Sequence, residues 1–107
     1  MEQPISKSQK RRDAEALQRF GVALINLRVD QIKQLTLPVM LEQAIIEAKS
    51  LKSHGAKRRQ AQLIGKRMRH TDIDILLIME KYARLQGTHT QTLLSQFDIS
   101  VDPRSVP

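Results

Sequence analysis

Three observations predict an all-α fold, a small bundle of four to five helices. Apolar residues recur at helical spacing nearly throughout, no stretch alternates polar and apolar residues as a half-buried strand does, and the four glycines and four prolines stand at a few isolated sites. With 107 residues the chain has room for one domain around one modest core.

The first helix is expected to begin near Lys7, because Ser6 followed three residues later by Gln9 matches a capping box. Ala14, Leu17, Gly21 and Leu24 then share one face, and Arg11, Arg12, Glu15 and Arg19 occupy the opposite one. A short helical piece is expected around Asp30 to Gln34. Pro38 cannot donate a backbone hydrogen bond and suits a turn or the first position of the next helix.

From Val39 to Ser53 the positions Leu41, Ala44, Ile45, Ala48 and Leu51 repeat at helical spacing. Gly55 is expected to supply a left-handed cap, placing a break near His54 and Gly55. The chain should restart as a helix from Ala56 to Arg69, with Ala61, Ile64 and Met68 as a narrow apolar stripe. Thr71 or Asp72 can cap the next helix, Ile73 to Leu85, whose residues are apolar nearly all round and therefore ask for cover on two sides or for self-association. Thr88 to Phe97 has a weaker pattern that allows two or three more turns, and Asp98 to Pro107 has none. The expected division is a helical domain over 1–87 and a weakly structured tail over 88–107.

Charge is unevenly spread. The chain carries +7 in all, but residues 1–70 hold +9 and residues 71–107 hold −2. Between Lys49 and Arg69 there are eight basic residues and no acid. Stepping 100° per residue places Arg58, Arg69, Gln62, Lys66, Arg59 and His70 on one arc, with Lys57 and Arg67 beside the apolar stripe. Solvated helix faces normally mix both signs and form i, i+4 pairs. An acid-free face repels itself, and a polyanion that neutralises it relieves the repulsion and releases counterions, which points to nucleic acid. Arginine predominates here, which suits bidentate phosphate contact.

Gly65 lies inside this helix at a cost of about 1 kcal/mol relative to Ala. Two reasons would keep it: a neighbouring helix packed on its bare backbone, or the approach of a phosphate backbone. Its place beside the apolar stripe favours packing, with Gly21 marking the opposing contact.

Other chemistry has little support. The absence of cysteine removes thiol catalysis, disulfides and thiolate-bound metals and fits a reducing cytoplasm. His54, His70 and His89 have no metal-ligand spacing, and no phosphate loop, dinucleotide fingerprint, nucleophile elbow or zinc-protease motif occurs. No catalytic activity, metal or cofactor is expected, and Ser6, Ser8, Ser50 and Ser53 read as caps and turn residues. The start Met1-Glu2-Gln3-Pro4 lacks the pattern of a secretory signal, and the longest apolar run, Ile75 to Met79, is far below the length of a membrane span. Only three aromatic residues, Phe20, Tyr82 and Phe97, are present, too few for a base-stacking platform.

Two long motifs carry a resemblance. Ser6-Lys7-Ser8 with Lys10-Arg11-Arg12-Asp13-Ala14-Glu15-Ala16-Leu17 and Gly21, and then Lys57-Arg58-Arg59-Gln60-Ala61-Gln62-Leu63-Ile64-Gly65-Lys66-Arg67-Met68-Arg69, resemble the bacterial dual-action ribosomal maturation protein family, DarP. Leu35-Thr36-Leu37-Pro38 stands between them in the expected order, so the likeness covers roughly residues 6 to 85. It implies a non-enzymatic, helical assembly factor that acts late on the immature large (50S) ribosomal subunit. It also implies that Arg58, Arg59, Gln62, Lys66 and Arg69 face ribosomal RNA, with Lys10, Arg11 and Arg12 as a second contact. Family chains are expected to continue through a second helical bundle, so the resemblance implies that this chain matches the first part of a family member.

Two other readings remain open from the residues alone. Helices meeting at Ser53-His54-Gly55 with a basic second member imitate a DNA-binding helix-turn-helix, although Leu51 is bulky for a close crossing and the arginines are spread around the helix. An amphipathic basic helix can also meet acidic proteins or lipids, although the apolar stripe here is narrow and lacks Trp and Phe.

Overall fold

The computed structural model describes residues 7–70 and 74–99 of the chain. In them α1 (Lys7–Ala23) runs into a 3-10 turn (Leu24–Asn26), followed by α2 (Val29–Gln34), α3 (Val39–Ala48), α4 (His54–His70), α5 (Ile75–Gln86) and α6 (Thr90–Gln96). No strand occurs among the described residues, so the fold is an all-α bundle, with six helices because the two shortest form as well. The Ser6 cap, Thr71, Asp72, Ile73 and the tail from Ser100 lie outside the described residues.

Sequence and structure agree on the long helices and differ at their ends. Pro38 is the N-cap of α3, where its missing N–H costs nothing, and its carbonyl accepts from Glu42 at 2.9 Å. The predicted helix to Ser53 stops earlier, at Ala48, and the next three amides fold back onto Ile46, Glu47 and Ala48. The expected cap at Gly55 is not there. Gly55 sits in the first turn of α4, which starts earlier than predicted because the Ser53 hydroxyl accepts from the amide of Ala56 at 3.1 Å. The left-handed glycine is Gly87 instead, with φ 69°, closing α5 while Thr88 N–H reaches back to the carbonyl of Ala83 at 2.9 Å. At the other end of α5 the Asp74 carboxylate caps Leu77 N–H at 3.1 Å.

The core runs through every helix. Phe20, Leu24, Ile32, Leu35, Leu41, Ile45, Ile64 and Met79 are fully buried, each contributing roughly 1.5–3 kcal/mol of transfer free energy. On α1 and the 3-10 turn that continues it the buried row is Ala16, Phe20 and Leu24, with the predicted Ala14 and Leu17 half-buried at its edge. That rotation leaves Gly21 facing α4. There Ile64 Cγ2 lies 2.7 Å and Met68 Cγ 3.1 Å from where a β-carbon on Gly21 would stand. Across the same contact, Gln18 lies over Gly65 with Oε1 2.6 Å from that residue's missing β-carbon. The packing explanation for Gly65 holds: two bare backbones let α1 and α4 approach closely. Gln18 opposite Gly65 and Val22 beside Ala61 make the two helices antiparallel.

Helix α6 forms within Thr88 to Phe97, where two or three further turns were expected, and it packs on the core. Leu93 and Phe97 are buried, and the Phe20 ring meets Tyr82 edge-on at 5.5 Å and Phe97 at 5.4 Å. Arg19 fastens the end of α6 to α1 by donating to the Phe97 carbonyl at 3.1 Å. On α5, Ile78, Met79 and Ala83 are buried while Leu77 is 46% exposed, so the core covers one side of this helix.

Candidate nucleic-acid interface

From His54 onward the acid-free segment folds as one helix, α4, and contacts with α1 and α3 fix its rotation. Ile64, Gly65 and Met68 are buried against α1, and Gln60 donates to the carbonyl of Ala44 in α3 at 2.7 Å. With α1 and α3 holding those sides, the remaining surface of α4 is turned outward. Arg58, Arg59, Gln62, Lys66 and Arg69 are all exposed there, at positions that trace one arc. From Arg58 to Arg69 the arc runs about 16 Å along the helix axis at 1.5 Å per residue.

The flanking residues divide. Lys57 is exposed and Arg67 is half-buried, both beside the packed face, while the side chain of His70 lies outside the described residues. Gln60, which alternates with Gln62 in the sequence, belongs to the α3 contact and not to the arc. Arg11 and Arg12 are exposed on the first turns of α1, and the Lys10 side chain lies outside the described residues. Because α1 and α4 are antiparallel, Arg11 and Arg12 stand toward the same end of the bundle as Arg69.

Electrostatically the arc is left uncompensated. Asp30 pairs with Arg28 at 3.2 Å and Glu80 with Arg84 at 2.8 Å, both away from α4, and among the described residues no carboxylate pairs with a cation of α4. The neighbouring open groove between α1 and α4, lined by Glu15, Gln18, Arg19, Val22 and Ala61, carries an acid on its α1 wall. Such an arrangement attracts phosphate and offers guanidinium forks that bind its oxygens two at a time. Among the described residues no group of three His, Asp or Glu side chains gathers to hold a metal, and no helix is long and apolar enough to cross a membrane.

Residues 3–99 match the family model described as dual-action ribosomal maturation protein DarP. Curated proteins of that name are similar to this chain. The one from Methylobacillus flagellatus is 45% identical over 89 residues, covering 83% of this chain and 48% of the relative. The one from Aromatoleum aromaticum is 51% identical over 69 residues, covering 64% of this chain and 36% of the relative. The one from Chromobacterium violaceum is 40% identical over 92 residues, covering 86% and 50%. The chain therefore spans half or less of the length of these relatives. No solved structure matches it.

Proposed function

Because this chain belongs to the dual-action ribosomal maturation protein family, DarP, we propose that it binds ribosomal RNA of the immature large (50S) subunit through α4 and promotes late maturation in the cytoplasm. The observation that carries this reading is the arc itself: four cations and an amide on one exposed face without carboxylate partners among the described residues. Lys57 and Arg67 flank the contact, and Lys10, Arg11 and Arg12 extend it at the Arg69 end.

The mechanism is positional. Cationic side chains bridge phosphates of RNA that has not reached its final fold, hold a local arrangement, and let go when the mature surface no longer fits. Nothing in this action requires bond chemistry, a metal or a cofactor.

Sucrose-gradient fractionation of lysate tests it. The chain is expected to travel with large-subunit precursors, and the double substitution Arg58→Glu with Arg59→Glu is expected to release it to the top of the gradient. Both side chains are exposed, so the helical circular dichroism of the variant should match the parent. A parent chain that never leaves the top fractions overturns the reading.

A further inference from the structure

The shape of the cationic surface and the fate of the aromatic residues bear on which form of RNA it fits. All three aromatic residues of the chain are committed to one internal cluster: Phe20 is fully buried, Phe97 nearly so, and half-buried Tyr82 is turned edge-on to Phe20. None is presented beside α4. Proteins that hold single strands combine a cationic groove that tracks the backbone with exposed aromatic faces on which bases stack. Here the cations stand on a convex ridge. The adjacent groove is lined by Glu15, whose carboxylate repels a phosphate backbone, and by Arg19, whose guanidinium is engaged by the Phe97 carbonyl.

A ridge suits a different partner. An α-helix with its side chains is about 10–12 Å across. A-form RNA offers a wide, shallow minor groove bordered by phosphates and floored by 2′-hydroxyls and base edges. Stepping 100° per residue sets Arg58 and Arg69 along one edge of the arc, Arg59 and Lys66 along the other, and Gln62 between them. The two edges can reach the phosphates of opposite strands while the Gln62 amide, which both donates and accepts, points at the groove floor.

We propose that α4 binds base-paired RNA, lying along its minor groove with Arg58 and Arg69 on one strand's phosphates, Arg59 and Lys66 on the other's, and Gln62 on the 2′-hydroxyls. This inference rests on the reading of α4 as an RNA-contact surface and specifies its substrate. Recognition is by shape and sugar, so it tolerates changes of sequence within the duplex.

Fluorescence anisotropy with the full chain tests it, using three labelled probes: an RNA hairpin with a long stem, an unfolded single-stranded RNA of equal length, and a DNA duplex of the stem sequence. The hairpin is expected to bind about tenfold tighter than either alternative. Gln62→Ala is expected to shrink the preference for RNA over DNA duplex several-fold while leaving the slope of affinity against salt unchanged. Its side chain is exposed and carries no packing, so the fold should be indifferent to the change. Single-stranded RNA binding as tightly as the hairpin overturns this inference and leaves the proposed function standing. Equal affinity for RNA and DNA duplexes also overturns it. Failure of all three probes to bind overturns both.

Discussion

Ile64 Cγ2 lies 2.7 Å from the point where Gly21 would carry a β-carbon, so α1 and α4 are closer together there than any side chain on residue 21 allows. The obstructing atom belongs to a fully buried, branched side chain that has little room to turn. At the other glycine, Gly65, the obstructing atoms are those of Gln18, and the nearest is the end of a flexible chain. Gly21→Ala is therefore expected to destabilise the bundle by about 1–3 kcal/mol through overpacking. Gly65→Ala should cost less, because displacement of Gln18 is offset by about 1 kcal/mol of helix propensity. Urea midpoints measure both, and Gln18→Ala, which removes Oε1 and Cγ but keeps the Cβ at 3.1 Å, should relieve Gly65→Ala in part without helping Gly21→Ala.

The same crossing rotates α4 so that its charge faces solvent, and the expected consequence is steep salt dependence. Log K for RNA should fall linearly with log salt, with a slope of roughly −0.7 to −0.9 for each phosphate neutralised. Arg58→Ala should make the slope shallower by about one such contact. Lys33→Ala, which removes an exposed cation from α2, should leave it unchanged. Titrations at several salt concentrations check this, and a flat profile for the parent chain would remove electrostatics as the basis of binding.

What the sequence made legible follows from the range of the forces involved. The α4 arc could be drawn in advance because helical geometry alone places Arg58, Gln62, Lys66 and Arg69 together, and an acid-free run leaves nothing within the helix to pair with them. The same geometry sets Gln60 well away from Gln62, which is the signal that it faces another helix. The Gly21 and Gly65 contact was legible because glycine inside a helix is costly and needs a tertiary reason. Helix ends were less legible. A glycine near a predicted break drew the cap to Gly55, while the Ser53 hydroxyl, a better N-cap, sets the actual start. Helix α6 falls within the turns expected over Thr88 to Phe97, but its firm order was not legible because two turns cannot hold themselves together. Its order comes from Phe97 meeting Phe20, far away in the chain, a partnership that no local pattern announces.

Thr36 joins α2 to α3 with φ 54°, a left-handed conformation that disfavours a β-branched side chain by roughly 1–2 kcal/mol. The turn is held by Lys81 of α5, whose ammonium lies 3.5 Å from the Leu35 carbonyl and 3.4 Å from the Thr36 hydroxyl. Thr36→Gly relieves the backbone and gives up two long, exposed hydroxyl contacts, with Lys81 Nζ at 3.4 Å and with the Gln34 carbonyl at 3.5 Å. It is expected to raise stability by about 0.5–1 kcal/mol, whereas Thr36→Val should lower it. Denaturant midpoints at constant m separate the two.

Tyr82 supplies a prediction about alkaline pH. Its ring packs edge-on to Phe20, and burial pushes the phenol above its ordinary value of 10.0. Desolvation disfavours the charged phenolate, so the folded state resists losing a proton that the unfolded chain gives up freely. Below pH 10 the phenol is protonated in both states and Tyr82 contributes its full share. As pH rises past 10 the unfolded state ionises first, and that contribution is lost progressively until the folded state's own, higher pKa is passed. The decline of the parent chain alone does not isolate the phenol. The comparison that does is Tyr82→Phe, which keeps the ring contact with Phe20 and removes the titrating hydroxyl. Its stability should fall less steeply between pH 9 and pH 11 than the parent's, and the gap should close below pH 9 apart from a constant offset. Parallel curves across that range would place the Tyr82 hydroxyl in water in the folded state.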